Sequence, residues 1–113
     1  MIPSQPLPLI GEDPVPYLDA EGVLNALATL SKPHCASIVR YLTDHGESYW
    51  GDLQRGTGIP MGSISRALSE LEDQGLIAGD PVRGERRGRS ARYRVVADRI
   101  TEVLELARQQ LLD

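Results

Sequence analysis

Six of the twelve basic residues, Arg83, Arg86, Arg87, Arg89, Arg92 and Arg94, fall between positions 83 and 94, opposed there only by Glu85. Clustered guanidinium groups are the chemistry of phosphate binding, because each neutralised phosphate releases condensed counterions. Just upstream, Gly62, Ser63, Ser65, Arg66 and Ser69 supply small and hydroxylated side chains and one further arginine. Hydroxyls bond phosphate oxygens or base edges, and a guanidinium is the side chain best matched to guanine. A formal charge of −4 would oppose nucleic-acid binding if it were spread evenly, but it is not. Screening over about 10 Å lets a basic patch act almost independently of a distant acidic body.

Other chemistries find less support. Cys35 stands beside His34, yet one thiol and one imidazole fall short of the four ligands zinc takes, so no metal site is assigned. Cys35 is read as a half-buried helix cysteine, with an intersubunit site or a thiol switch as the sharper alternative. His45 suits a helix C-terminus, where a cation meets the last carbonyls. Trp50 could stack on a base, but beside Leu53 it reads as a core or interface residue. No nucleophile elbow, P-loop or two-histidine zinc helix occurs, so we expect a non-enzyme without a cofactor.

The elements that must position these residues follow from periodicity and punctuation. A first helix is expected from Asp19, its N-cap, to Leu30, with Val23, Leu24, Leu27, Ala28 and Leu30 as its apolar face. A second should start at Pro33 and end near His45 before Gly46, with Ile38, Val39 and Leu42 inward. Glu47 and Ser48 form either a very short strand or a loop. A third helix covers about 49–56, carrying Trp50 and Leu53 inward, and breaks at Gly56 to Gly58, with Ile59 anchoring the turn. Pro60 then suits the first position of a fourth helix, 61–74, whose Ile64, Ala67, Leu68 and Leu71 face the core while Gly62, Arg66, Ser69 and Asp73 face away. Gly75 closes it. Strands at about 76–78 and 91–96 flank the arginine-rich tip as a hairpin, or wing. A last helix, 97–112, presents Ile100, Val103, Leu104, Ala107 and Leu111 on one side.

With 113 residues and 41% hydrophobic content the chain can build one modest core, aliphatic because Phe is absent. Five of eight prolines lie in the first sixteen residues, so residues 1–18 are read as an extended arm and 19–113 as the folded domain. A single cysteine and no recognisable leader point to a reducing, cytoplasmic setting, and no apolar run approaches a membrane span.

Two helices joined by a short glycine-containing turn and followed by a hairpin make a winged helix-turn-helix, mainly α with a small β-hairpin: about five helices and a two- to three-stranded wing. From about Ala26 to Val95 the chain resembles the ArsR-type winged-helix transcriptional regulators. Leu30, Ser31, Lys32 and Pro33, then Ile38, Val39 and Leu42, Asp52 and Leu53, Gly58 and Ile59, the run Ser63 to Leu68, Leu71, Gly75 to Ile77, and Arg92 to Arg94 carry the resemblance. It implies a homodimer with one recognition helix per subunit in successive major grooves, so that Gly62, Ser63, Ser65 and Arg66 would face DNA. The chain departs from the family at Pro60, where a capping Ser is usual, at Met61 and Gly62, which replace longer polar contacts, and at Cys35, where Arg is common. It also lacks the Cys and His cluster of metal-sensing members, and that role is not carried over.

The expected function is thus a dimeric regulator of transcription, a repressor, bound to double-stranded DNA. Gly62, Ser63, Ser65, Arg66 and Ser69 would meet the major groove, and Arg83, Arg86, Arg87, Arg89 and Arg92 the backbone or minor groove. The wing arginines are expected to supply the larger share of affinity. Val23, Leu24 and Leu27 with Ile100, Val103, Leu104, Ala107 and Leu111 would form the dimer interface. Two other readings stand beside it: a winged-helix protein-interaction module that does not read DNA, and a switch whose unknown effector binds between the first and last helices.

Overall fold

The Asp19 side chain accepts from the Gly22 amide at 2.7 Å and so starts α1 (Ala20–Ser31). The computed structural model describes residues 18–88 and 90–113, so the arm expected over residues 1–18 lies, except for Leu18, outside the described residues. Pro33 opens α2 (Pro33–His45), where its missing amide hydrogen costs nothing, and Gly46 ends it at φ 79°. The short stretch after Gly46 is a strand, β1 (Ser48–Tyr49). In α3 (Trp50–Thr57) the Tyr49 amide donates back to Asp52 Oδ2 at 3.0 Å, and Gly58 closes the helix in the left-handed region. Pro60 precedes α4 (Met61–Asp73) as its cap rather than its first residue, and its carbonyl accepts from the Ser63 and Ile64 amides at 3.0 Å.

The end of α4 is a Schellman motif: Leu76 N donates to Leu71 O and Gly75 N to Glu72 O, both at 3.0 Å. That turn sends the chain into β2 (Ile77–Asp80), which pairs antiparallel with β3 (Arg92–Val95), Gly79 facing Tyr93 across the ladder. β1 adds to the other side of β3, giving the three-stranded order β1-β3-β2. α5 (Ala97–Leu112) then returns along α1.

One core joins these elements. Ile38, Leu53, Ile64, Leu71, Leu76 and Val103 are fully buried in it, and all are aliphatic. The faces expected for α2 and α4 are the faces buried. α5 differs from expectation. Val103 and Ala107, with Val23 of α1, are buried by their own chain rather than left for a partner, because α1 and α5 pack directly on one another. They are therefore removed from the expected dimer interface. Leu24, Leu104 and Leu111 remain exposed, and Leu27 and Ile100 are half-buried at the core margin. No helix of the described residues is long and apolar enough to cross a membrane.

Candidate nucleic-acid interface

Because Ile64, Ala67, Leu68 and Leu71 anchor α4, its opposite side is left in solvent. Gly62, Ser65, Arg66 and Ser69 are exposed there, and Ser63 is half-buried at its margin. A Cβ added at Gly62 would meet nothing within 4 Å, so the fold itself does not require glycine at this position. No hydrogen bond or ion pair within the described residues engages the Arg66 guanidinium. Met61, on the first turn and one of the departures from the family pattern, is 66% exposed, an apolar side chain beside these polar ones.

Ser65 and Ser69 are each held from another element. Trp50 Nε1 of α3 donates to Ser65 Oγ at 3.2 Å, and Trp50 is half-buried, packed against the core on one side and bridged to α4 through its indole nitrogen. Arg83 Nη2 donates to both the Ser69 carbonyl, at 2.7 Å, and its hydroxyl, at 2.9 Å, while Nη1 pairs with Asp73. Together Trp50, Ser65, Ser69, Glu72, Arg83 and Tyr93 line a shallow cleft between α4 and the wing.

The wing arginines do not form one free cluster. Arg86 turns inward: Nη2 donates to Glu72 Oε2 at 2.8 Å, Nε donates to the Pro81 carbonyl at 2.8 Å, and the guanidinium lies 5.4 Å from the Tyr93 ring centroid. The Glu72 carboxylate raises the Arg86 pKa above its ordinary value, outweighing burial. The absence of a side chain at Gly79 permits this, since a Cβ there would overlap Arg86 Nη2. Arg86, expected at DNA, is engaged within the fold, where it clamps the wing to α4, and Arg83 pairs with the same helix. Arg92 pairs with Glu47 at 2.9 Å, but both side chains are half exposed, and such a surface pair is worth about 0–1 kcal/mol, little against a phosphate. Arg87 and Arg94 are exposed with no partner among the described residues, and Arg89 lies outside them. Among the described residues the exposed, unpaired arginines of this region are thus Arg66 on α4 and Arg87 and Arg94 of the wing.

Cys35 is buried against α4, its thiol directed at Glu70 Oε2 at 3.6 Å, with Lys32 pairing to the same carboxylate. Burial, then the neighbouring carboxylate, pushes the thiol up to about 11. It is a neutral core thiol under ordinary conditions. Among the described residues no three His, Cys, Asp or Glu side chains are grouped to hold a metal ion.

No family model matches the sequence, and a search of the curated proteins finds no match either. Solved structures do match. The transcriptional repressor BigR from Xylella fastidiosa is 30% identical, with a TM-score of 0.58 over 77% of this chain and 81% of that one. An ArsR family transcriptional regulator has a TM-score of 0.64 at 22% identity, over 87% of this chain and 94% of its own. The homodimeric winged helix-turn-helix DNA-binding domain from Mycobacterium bovis has a TM-score of 0.58 at 20% identity, over 82% and 83% of the two chains. The last two share the fold, whereas BigR also shares nearly a third of its aligned residues. On that sequence relationship and the α1 to α5 order with its three-stranded wing, the chain belongs to the ArsR-type winged helix-turn-helix transcriptional regulators.

Proposed function

We propose that the chain regulates transcription by binding double-stranded DNA as a homodimer, with α4 in the major groove and the wing against the backbone. The observation that carries this reading is the solvent side of α4, where Arg66 is unpaired and Gly62, Ser65 and Ser69 leave a low, hydroxylated surface. A helix of this kind can approach the groove floor closely, and Arg66 can meet guanine in a bidentate contact. Met61 adds an apolar group suited to a thymine methyl. Arg87, Arg92 and Arg94 supply phosphate contacts, and Arg86 and Arg83 fix the wing's position.

A dimer is supported by the exposed Leu24, Leu104 and Leu111, which lie on two helices, α1 and α5, that pack together. Two copies joined there would carry two α4 helices, as two successive half-sites require. Repression by blocking promoter access is the mode we assign, in line with the similarity to the transcriptional repressor from Xylella fastidiosa. The reading is tested by anisotropy titration of the full chain on random and selected duplexes at two salt concentrations. Saturable binding that weakens with salt supports it. Absence of binding to any duplex at low salt would favour a protein partner instead.

A further inference from the structure

The hydroxyl of Ser65 has its hydrogen-bonding role assigned by its neighbour. Indole N–H is a donor and never an acceptor, so in the Trp50 Nε1 to Ser65 Oγ bond of 3.2 Å the serine must accept. The same logic holds one turn later, where the Arg83 guanidinium, also donor-only, reaches Ser69 Oγ at 2.9 Å. Three other helical hydroxyls spend their protons locally: Ser31 donates to the Ala28 carbonyl, Thr43 to Val39 and Thr57 to Leu53. Those three return their protons to their own helices. Among the described residues no bond draws the Ser65 or Ser69 proton back to the backbone, and both residues are exposed.

A hydroxyl that already accepts a hydrogen bond is a better donor, because the chain of bonds polarises it. We infer that Trp50 is a positioning residue for the DNA contact: by donating to Ser65 it occupies one lone pair and polarises the hydroxyl proton toward an acceptor atom on DNA, with Arg83 doing the same for Ser69. The inference rests on the DNA-binding reading above and adds to it the polarity of the contact. Acceptors available to such a donor are phosphate oxygens and, on base edges in the major groove, guanine O6 and N7, adenine N7 and thymine O4. The exocyclic amino groups of adenine and cytosine are donors and cannot accept that proton.

The experiment is a double-mutant cycle on the full chain, using anisotropy with a duplex recovered by selection from random DNA. Ser65→Ala should weaken binding about 3- to 10-fold, the range of one neutral hydrogen bond. In the Trp50→Phe background, which keeps an aromatic ring but removes the N–H, the same change should weaken binding less than about 2-fold, because the donor polarity has already been lost. Thermal unfolding of each variant identifies any that has lost the fold, and Ser65→Ala on the otherwise native chain stays informative if Trp50→Phe does not fold. Its effect is then read on duplexes carrying, beneath α4, a single neutral methylphosphonate or a single base analogue that lacks one acceptor: 7-deazapurine for purine N7, 2-aminopurine for guanine O6, or 5-methyl-2-pyrimidinone for thymine O4. Loss of the Ser65→Ala effect on the methylphosphonate duplex assigns the acceptor to a phosphate, and loss on a base-analogue duplex to a base edge; either supports the inference. Equal Ser65→Ala effects in both backgrounds, or an effect unchanged on every modified duplex, would overturn it while leaving DNA binding intact. Failure of the unaltered chain to bind any duplex would overturn both.

Discussion

Arg86 of the wing donates to Glu72 of the recognition helix at 2.8 Å, so the two parts expected to touch DNA are first joined to each other. Glu72 is nearly buried and Arg86 only partly exposed. A charge-assisted pair in that setting contributes on the order of 1.5–3 kcal/mol, well above a surface ion pair. Arg86→Ala should therefore lower unfolding free energy by about 2 kcal/mol in urea titration. Gly79→Ala, which pushes the guanidinium off Tyr93, should lose part of the same amount. If Arg86→Ala leaves stability unchanged, the clamp is not holding the wing.

Arg87 gives the contrasting result. It is exposed and, among the described residues, unpaired. Arg87→Ala should leave stability within about 0.5 kcal/mol and reduce the slope of log affinity against log salt by roughly 0.9 per protomer. Arg86→Ala should change that slope little at concentrations where the variant is folded. Salt titrations of the two variants side by side make the comparison, and a larger slope change for Arg86 would reverse their assigned roles.

Gly62 separates folding from binding. Open space surrounds the position a Cβ would occupy, and glycine in a helix is about 0.5–1 kcal/mol less favourable than alanine. Gly62→Ala is expected to raise thermal stability while weakening DNA binding, because the added methyl stands between α4 and the groove. A variant that is both more stable and equally tight in binding would show that α4 does not approach DNA at this point.

The contrast between adjacent residues of α5 tests the dimer. Val103 is fully buried and Leu104 is 52% exposed. Val103→Asp should unfold the chain, since it places an unpaired charge in the core. Leu104→Glu should leave helix content intact by circular dichroism and shift light-scattering mass from two chains toward one. An unchanged mass would exclude the Leu24, Leu104 and Leu111 face from the interface.

Cys35 contributes a pH dependence with a defined sign. Its thiol, ordinarily near 9.0, is held up to about 11 in the fold, chiefly by burial. Across that window the unfolded chain has lost the proton and the folded chain keeps it, so stability is complete below pH 9 and falls as pH rises toward 11. Cys35→Ala should flatten this part of the curve. Alkylation at mildly alkaline pH should be slow in the native protein and fast in denaturant.

Local signals were legible in the sequence, and long-range pairings were not. The caps at Asp19 and Gly75 and the start at Pro33 depend on residues within one turn, and each helix formed close to its expected bounds. The Arg86–Glu72 clamp joins positions 14 apart and the Trp50–Ser65 bond positions 15 apart, across elements whose relative orientation periodicity does not specify. The arginine run was visible as charge, but acidic Glu72 and Asp73 on the last turn of α4 decide which arginines stay available. On α1 and α5, one apolar stripe proved to serve two surfaces: Val23, Val103 and Ala107 face inward and Leu24, Leu104 and Leu111 outward. Composition could not divide them, because a helix carries its core face and an adjoining exposed face on neighbouring residues.

The most direct measurement is the affinity of the full chain and of Arg66→Ala for duplex DNA selected from a random pool, titrated at about 50 and about 200 mM salt. The account predicts saturable binding by the native chain that falls steeply with salt. Arg66→Ala should lose about 1–3 kcal/mol on the selected site and relax preference at one base pair per half-site. Binding that is absent at the lower salt, or indifferent to Arg66 and to DNA sequence, would contradict α4 as the element that reads DNA.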